Sequence, residues 1–137
     1  MAAFVAVRGI GTVMQRPVLI VEDDPTTRDA LAALLEAHGL PAVTAEDGDR
    51  ALQLLRGGLM PCIVILDLWM PRMDGFAFRA EQLTDPTLSR YPVVVCSAEY
   101  PTTSLAERLQ ATAYLQKPVD PDVLLRLISS VCRPLLH

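Results

Sequence analysis

Short apolar runs alternate along this chain with longer stretches of helical period. The runs are "PVLIV" at 17–21, "PAVTA" at 41–45, "CIVIL" at 62–66, "PVVVC" at 92–96 and "AYLQ" at 113–116, the second being the weakest. A strand with one wet face alternates apolar and polar residues, and these runs are too continuously apolar for that. They predict a parallel sheet covered on both faces. Between them, "PTTRDALAALLEAHG" sets Leu31, Leu34, Leu35 and His38 on one helical stripe, opened by Asp24 and Pro25 and stopped by Gly39. "EDGDRALQLLRGG" turns Ala51, Leu52 and Leu55 inward and ends at Gly57 and Gly58, while "DGFAFRAEQLTDP" opens at Asp74 and closes before Pro86. "TTSLAERLQ" predicts a shorter helix. "DPDVLLRLISSVC" starts from an Asp120 cap with Pro121 in the first turn, and Leu124, Leu127, Ile128 and Val131 face the sheet. Five strands and five helices in alternation make one α/β domain over 17–133, with a loosely ordered extension at 1–16 and a tail at 134–137.

Composition narrows the function classes. A chain of 137 residues, 51% of them apolar, can bury a full core without disulfides or structural metal. Twelve basic against sixteen acidic residues give a net charge of −4, and no block of Lys or Arg is present to track a phosphate backbone, so direct nucleic-acid binding is excluded. The three cysteines, Cys62, Cys96 and Cys132, sit far apart in apolar runs, which predicts reduced, buried thiols in a cytoplasmic protein. Arg8 interrupts the first apolar patch and no basic leader precedes it, so neither a signal peptide nor a membrane span is expected. No His, Asp and Ser arrangement points to hydrolytic catalysis; His38 and His137 suit a helix end and the tail.

The candidate chemistry gathers at the strand ends. In an open sheet of this kind ligands bind beyond the carboxyl ends of the strands, where the strand order reverses. There the first strand ends in Glu22 and Asp23, the third in Asp67, the fourth in Ser97 and the fifth in Lys117. Adjacent carboxylates repel one another and need a cation or a basic group. Mg²⁺ suits such a set, because it takes a few oxygen ligands, keeps waters and accepts a phosphate oxygen. Lys117 can neutralise a second phosphoryl oxygen, and the Ser97 hydroxyl can donate to a third. Asp67 is then a nucleophile for a phosphoryl group. Each residue also has a plainer reading: Asp67 as a local cap, Lys117 as a solvated side chain, Ser97 as a turn residue, Tyr114 as packing.

"VLIVEDDP", "ILDLWMPRMDG", "VVVCSA" and "YLQKP", in this order, resemble the receiver domain of bacterial two-component response regulators, over roughly residues 17 to 133. The resemblance implies a flavodoxin-like (βα)5 fold, doubly wound, with strand order 2-1-3-4-5. It implies that Asp67 accepts a phosphoryl group from a histidine kinase or histidine phosphotransfer protein. By the same match Glu22, Asp23, Asp67 and the Trp69 backbone carbonyl hold Mg²⁺ or Mn²⁺, Ser97 is the switch hydroxyl, Lys117 contacts the phosphate and Tyr114 is the aromatic switch. Asp24 falls outside the ligand set and is assigned to the helix cap. The partners implied are the phosphodonor and a downstream protein target, with a homodimer through the fourth helix, fifth strand and fifth helix as a further option. The product is a stand-alone signalling phosphoacceptor in the cytoplasm, neither an enzyme nor a membrane protein.

Three departures from the family pattern stand out. Trp69 follows the acceptor by two positions, where a smaller side chain is usual, and with Glu99, two after Ser97, it is the candidate for tuning phosphoryl lifetime. "LQATAYLQKP" lacks the usual glycine before the fifth strand, so a shortened, tilted or mobile fourth helix is expected. Only "CRPLLH" follows Val131, which favours a complete single-domain protein without an output domain. Against the phosphoacceptor stands a second function, a degenerate receiver that serves as an unphosphorylated scaffold or dimerisation module. An aspartyl phosphohydrolase would need a second Asp where Trp69 stands. A nucleotide fold would need its glycine turn after the first strand, and "GIG" at 9–11 precedes it.

Overall fold

The structure is a computed structural model that describes residues 3–7 and 11–132. In chain order the elements are β1 (Ala3–Val7), β2 (Gly11–Gln15), β3 (Val18–Val21), α1 (Pro25–Ala37), β4 (Ala42–Ala45), α2 (Gly48–Arg56), β5 (Ile63–Leu66), α3 (Gly75–Thr84), β6 (Val93–Ser97), α4 (Thr103–Leu109), β7 (Ala113–Gln116) and α5 (Pro121–Val131). Strands β3 to β7 form one parallel sheet in the order β4-β3-β5-β6-β7, which is 2-1-3-4-5 for the five strands read from the sequence. The continuously apolar runs β3, β5 and β6 are buried at every position and lie in the middle; β4 and β7, the edges, are only partly covered.

Side chains alternate across each strand, and the core divides accordingly into two layers. Leu19, Val21, Val64, Leu66, Val93 and Val95 pack on one face with Leu52, Leu55, Phe78 and Leu109 from α2, α3 and α4. Val18, Ile20, Ile63, Ile65, Val94 and Cys96 pack on the other with Leu35, Leu124 and Ile128 from α1 and α5. Capping follows the sequence signals. Asp24, Asp74 and Asp120 each accept a backbone N–H in the first turn of their helix, and Pro25 and Pro121 occupy the opening positions.

Some expectations change. Residues 3–7 and 11–15, part of the 1–16 stretch read as a loose extension, pair as a two-stranded antiparallel hairpin with Ala3 opposite Gln15 and Val7 opposite Gly11. Residues 1, 2, 8–10 and 133–137, the tail with His137 among them, lie outside the described residues. His38 is exposed at the end of α1, its Nδ1 2.9 Å from the Leu34 carbonyl, because the helix has already stopped there. Val131 is 36% exposed, and Cys132 takes the inward place at that end of α5. The cysteine expectation is overturned in part. Cys62 and Cys132 form a disulfide with Cα atoms 5.4 Å apart, joining the approach to β5 to the end of α5; Cys96 alone remains a buried thiol. Two cysteines 70 positions apart meet because α5 packs back across the sheet beside β5.

The fourth helix is short, as expected: seven residues, Thr103–Leu109. Where a glycine is usual the chain has Gln110, which caps α4 in the left-handed conformation at φ 48°. A side chain there costs about 1–2 kcal/mol, and a buried arginine holds the turn in place. Arg79 on α3 donates from Nε to the Leu109 carbonyl at 2.7 Å, from Nη2 to the Gln110 carbonyl at 2.7 Å and from Nη1 to Gln82 Oε1 at 2.8 Å. Gln82, fully buried, in turn donates to the Leu88 and Tyr91 carbonyls. Arg79 and Gln82 stand at i, i+3 on a helix, which from sequence looks like a solvated face.

Candidate functional site

The register of the sheet brings the strand ends to one rim. Val21 pairs with Leu66 and Ser97 with Gln116, and the ladder continues one step beyond the strands: Asp67 N–H donates to the Val21 carbonyl at 3.0 Å and Lys117 N–H to the Ser97 carbonyl at 2.8 Å. Glu22, Asp67, Ser97 and Lys117 therefore emerge side by side. The close packing of the loop after Asp67 requires Gly75. A Cβ there would lie 2.4 Å from the Asp67 carbonyl oxygen and 2.8 Å from Leu68 Cα, which no real side chain tolerates.

Carboxylate oxygens of Glu22, Asp23 and Asp67 all lie within 4.8 Å of one another. Glu22 and Asp67 are buried, at 3% and 8% exposure, and Asp23 is the most open of the three. Lys117 Nζ donates to Glu22 Oε1 at 2.8 Å and sits 3.7 Å from Asp67 Oδ1, so one ammonium faces three carboxylates. Burial first, and then the neighbouring Glu22 carboxylate, push the Asp23 pKa up. Burial alone would lower the Lys117 pKa, but its bond to Glu22 and the charges of Asp67 and Glu22 outweigh that and raise it. The pocket keeps its lysine charged and still carries an excess of negative charge. That donor set, all oxygen and short by two positive charges, fits a small divalent cation. Arg28, which the sequence reading missed, stays outside the pocket: its Nη1 reaches the Glu22 and Asp23 backbone carbonyls at 3.2 and 3.3 Å and steadies the β3–α1 turn. The Asp24 carboxylate stays out of the cluster and caps α1 through Thr27 N–H and Oγ1, as assigned, while the Asp24 N–H donates to Glu22 Oε2 at 3.2 Å.

A family model described as the response regulator receiver domain matches residues 18–129. The chain belongs to the response regulator receiver family. Among its relatives, Protein PilH of Pseudomonas aeruginosa is 35% identical over 116 residues, covering 83% of this chain and 95% of its own. The two-component response regulator ORR11 of Oryza sativa is 32% identical, covering 94% of this chain and 89% of its own. Among solved structures, the receiver resembles the chemotaxis protein CheY4 of Vibrio cholerae with a TM-score of 0.77 and 27% identity, covering 85% of this chain and 98% of that one. The fold is accordingly the flavodoxin-like one, and the family binds Mg²⁺ at its acidic pocket. Among the described residues no helix is long and apolar enough to cross a membrane.

In the receiver the remaining candidates line up behind the acidic pocket. Ser97 is fully buried, and its Oγ accepts from Glu99 N–H at 3.2 Å. The Tyr114 hydroxyl donates to the Glu99 carbonyl at 3.2 Å, so Ser97 and Tyr114 are joined through one residue of the β6–α4 loop. Trp69 is 54% exposed and turned toward α3, where its ring meets Phe76 edge to face with centroids 5.5 Å apart. Trp69 and Glu99 line one cavity of about 580 Å³ together with Phe76 and Arg108, whose guanidinium lies 4.2 Å from the Phe76 ring centre. A second cavity, about 790 Å³, opens from Glu22, Asp67 and Lys117 along Leu31 and Leu34 of α1.

Proposed function

We propose that Asp67 is the phosphoacceptor of a two-component or phosphorelay pathway, charged by a histidine kinase or histidine phosphotransfer protein in a Mg²⁺-dependent reaction that switches a protein-contact surface. The observation that carries this reading is the cluster of Glu22, Asp23 and Asp67 with the Lys117 ammonium bonded into it. A site meant only for scaffolding gains nothing from three clustered carboxylates, whose repulsion lowers stability.

The chemistry follows from the placement. An Asp67 carboxylate oxygen forms a bond to phosphorus as the donor's phosphorus–nitrogen bond breaks, and that electron pair stays with the donor imidazole. Glu22, Asp23, Asp67 and the Trp69 backbone carbonyl would hold the cation, Mg²⁺ or Mn²⁺, which when bound neutralises charge on the phosphoryl oxygens. Lys117 needs only to turn from Glu22 and Asp67 toward the new group to meet a second oxygen, and Ser97 Oγ–H donates to a third once it releases Glu99. Moving Ser97 disturbs the Glu99 turn and with it the bond from Tyr114. A local charge thereby biases the surface formed by α4, β7 and α5, where a downstream protein or a second copy binds. Trp69 and Glu99 flank the approach and set the lifetime of the acyl phosphate. The domain catalyses only its own phosphorylation and dephosphorylation, so we class it as a signalling phosphoacceptor. Its kinase-class donor puts it in the cytoplasm.

Intact-protein mass spectrometry after incubation with acetyl phosphate tests the proposal. A single phosphoryl adduct is expected in the wild type with Mg²⁺, and none without Mg²⁺ or in Asp67→Asn. An adduct on Asp67→Asn would move the acceptor elsewhere. No adduct on the wild type from acetyl phosphate or from any phosphohistidine donor would leave the scaffold reading.

A further inference from the structure

We propose that Arg72 is a positioning residue for the cation site: clamped to the buried carboxylate of Asp47, it fixes the loop that presents Asp67 and the Trp69 carbonyl. The inference rests on the phosphoacceptor reading and extends it to residues outside the acidic pocket.

Arg72 has a φ of 64°, in the left-handed region that favours glycine or asparagine. A residue held there against its preference persists where the surroundings over-determine it. What determines Arg72 is its guanidinium. Nε donates to Asp47 Oδ2 at 2.5 Å, and Nη2 pairs with the same oxygen. The Asp47 side chain is 2% exposed, and its other oxygen accepts from Arg50 N–H at 2.9 Å to cap α2. Burial alone would push the Asp47 pKa up, but these bonds outweigh it and hold the group below the usual carboxylate value. The adjacent backbone is tied as well. Gly48 N–H donates to the Met73 carbonyl at 3.0 Å, and a Cβ on Gly48 would lie 2.8 Å from both that oxygen and Met73 Cγ.

The loop from Asp67 to Gly75 is thus held at two levels. Its base is closed by Gly75 N–H to the Leu68 carbonyl at 2.9 Å, and its tip is fastened to the start of α2 through residues 72 and 73. Trp69 lies between the two fastenings. Arg72 itself is 62% exposed, so the screened charge attraction is small and the effect is one of geometry: two donors on one fixed carboxylate set where the loop tip sits. Groups that orient metal ligands in this way weaken binding by about 10- to 100-fold when removed.

The test uses variants that keep the fold. Arg72→Asn tolerates the left-handed backbone but cannot reach Asp47, and Asp47→Asn retains the helix cap while losing the charge. Mn²⁺ binding is read directly from the free-ion electron paramagnetic resonance signal, and the Mg²⁺ concentration for half-maximal phosphorylation by acetyl phosphate is measured in parallel. Each variant is expected to weaken both by about tenfold. The double variant is expected to be no weaker than either single one, because the two changes break one interaction. The phosphorylation deficit should shrink as Mg²⁺ rises, and Arg72→Lys should fall between Arg72→Asn and the wild type. Binding within about twofold of the wild type in Arg72→Asn, or losses that multiply in the double variant, would overturn the proposal. A wild type that binds no Mn²⁺ would instead overturn the phosphoacceptor reading on which this one stands.

Discussion

Arg79→Met tests what holds the short fourth helix. Methionine replaces the arginine stem at similar volume, so the change removes the three guanidinium bonds without opening a large cavity. Of the acceptors left behind, the Leu109 carbonyl and Gln82 Oε1 belong to fully covered residues, while Gln110 is exposed and its carbonyl can turn to water. Two stranded acceptors at about 1–3 kcal/mol each give a loss of about 2–6 kcal/mol, and because the change also removes the cost of burying a guanidinium the net loss falls in the lower part of that range, about 2–4 kcal/mol. A further small term comes from removing a cation beside the carboxyl end of α4, about 0.3–1 kcal/mol. In urea denaturation followed by far-UV circular dichroism, with a slope near 2 kcal/mol per molar, the midpoint should fall by roughly 1–2 M. α4 should also lose hydrogen-exchange protection ahead of the sheet. A midpoint shift below about 0.3 M, with α4 still protected, would refute the idea that Arg79 substitutes for the missing glycine.

Three other outcomes follow from the same structure. Gln110→Gly removes the left-handed penalty and should stabilise by about 0.5–1 kcal/mol after the added entropy of the unfolded chain, read from the same urea midpoint. Cys62→Ser opens a disulfide that spans 70 residues; the loop-closure model gives a loss of about 4 kcal/mol, seen as a Tm lower by about 10 °C or more. Consistently, without reductant the native protein should show no reactive thiol and the denatured protein one, since burial pushes the Cys96 pKa up to about 12. Two or three reactive thiols would rule the disulfide out. Trp69→Asn should change the half-life of the acyl phosphate severalfold, measured by loss of the mass adduct; an unchanged half-life would show that an indole turned toward Phe76 does not govern access to Asp67.

Much of the architecture was legible because the physics is local. Apolar runs such as "CIVIL" are buried on both faces, and the Asp-Pro openings of α1 and α5 leave a mark within four residues of sequence. The acidic pocket was legible for a related reason: each of its members stands directly after a strand, so naming the strand ends names the pocket. The parts that escaped depend on partners far along the chain. Nothing near Cys62 specifies Cys132, and no i, i+3 rule tells a buried Arg79 and Gln82 from a wet pair. The missing glycine in "LQATAYLQKP" was the available clue, since a side chain at a helix end where glycine is usual implies something holding it. The hairpin also had a signal, two short runs flanking "RGIG", which is a turn composition between strands.

The arrangement of positive charge explains how an acidic pocket stays usable. Three carboxylates at a strand rim could be stabilised most simply by arginines placed among them, but a filled pocket would then have no place for a cation or a phosphoryl group. Among the described residues only Lys117 enters, and it is a flexible point charge that can change partners. The guanidiniums are kept one layer back. Arg28 grips the Glu22 and Asp23 carbonyls, Arg72 grips Asp47, and Arg79 grips the end of α4. Arg28 and Arg72 fix segments that border the pocket, Arg79 fixes the turn before β7 at the opposite end of the sheet, and none of the three is aimed at an acidic side chain of the pocket itself. Rigidity is supplied from outside, while the electrostatic deficit inside is preserved for the ligand that needs it. Introducing a second fixed cation at the rim should therefore strengthen the fold and weaken Mg²⁺ binding together, two effects that a merely structural acidic cluster would not couple.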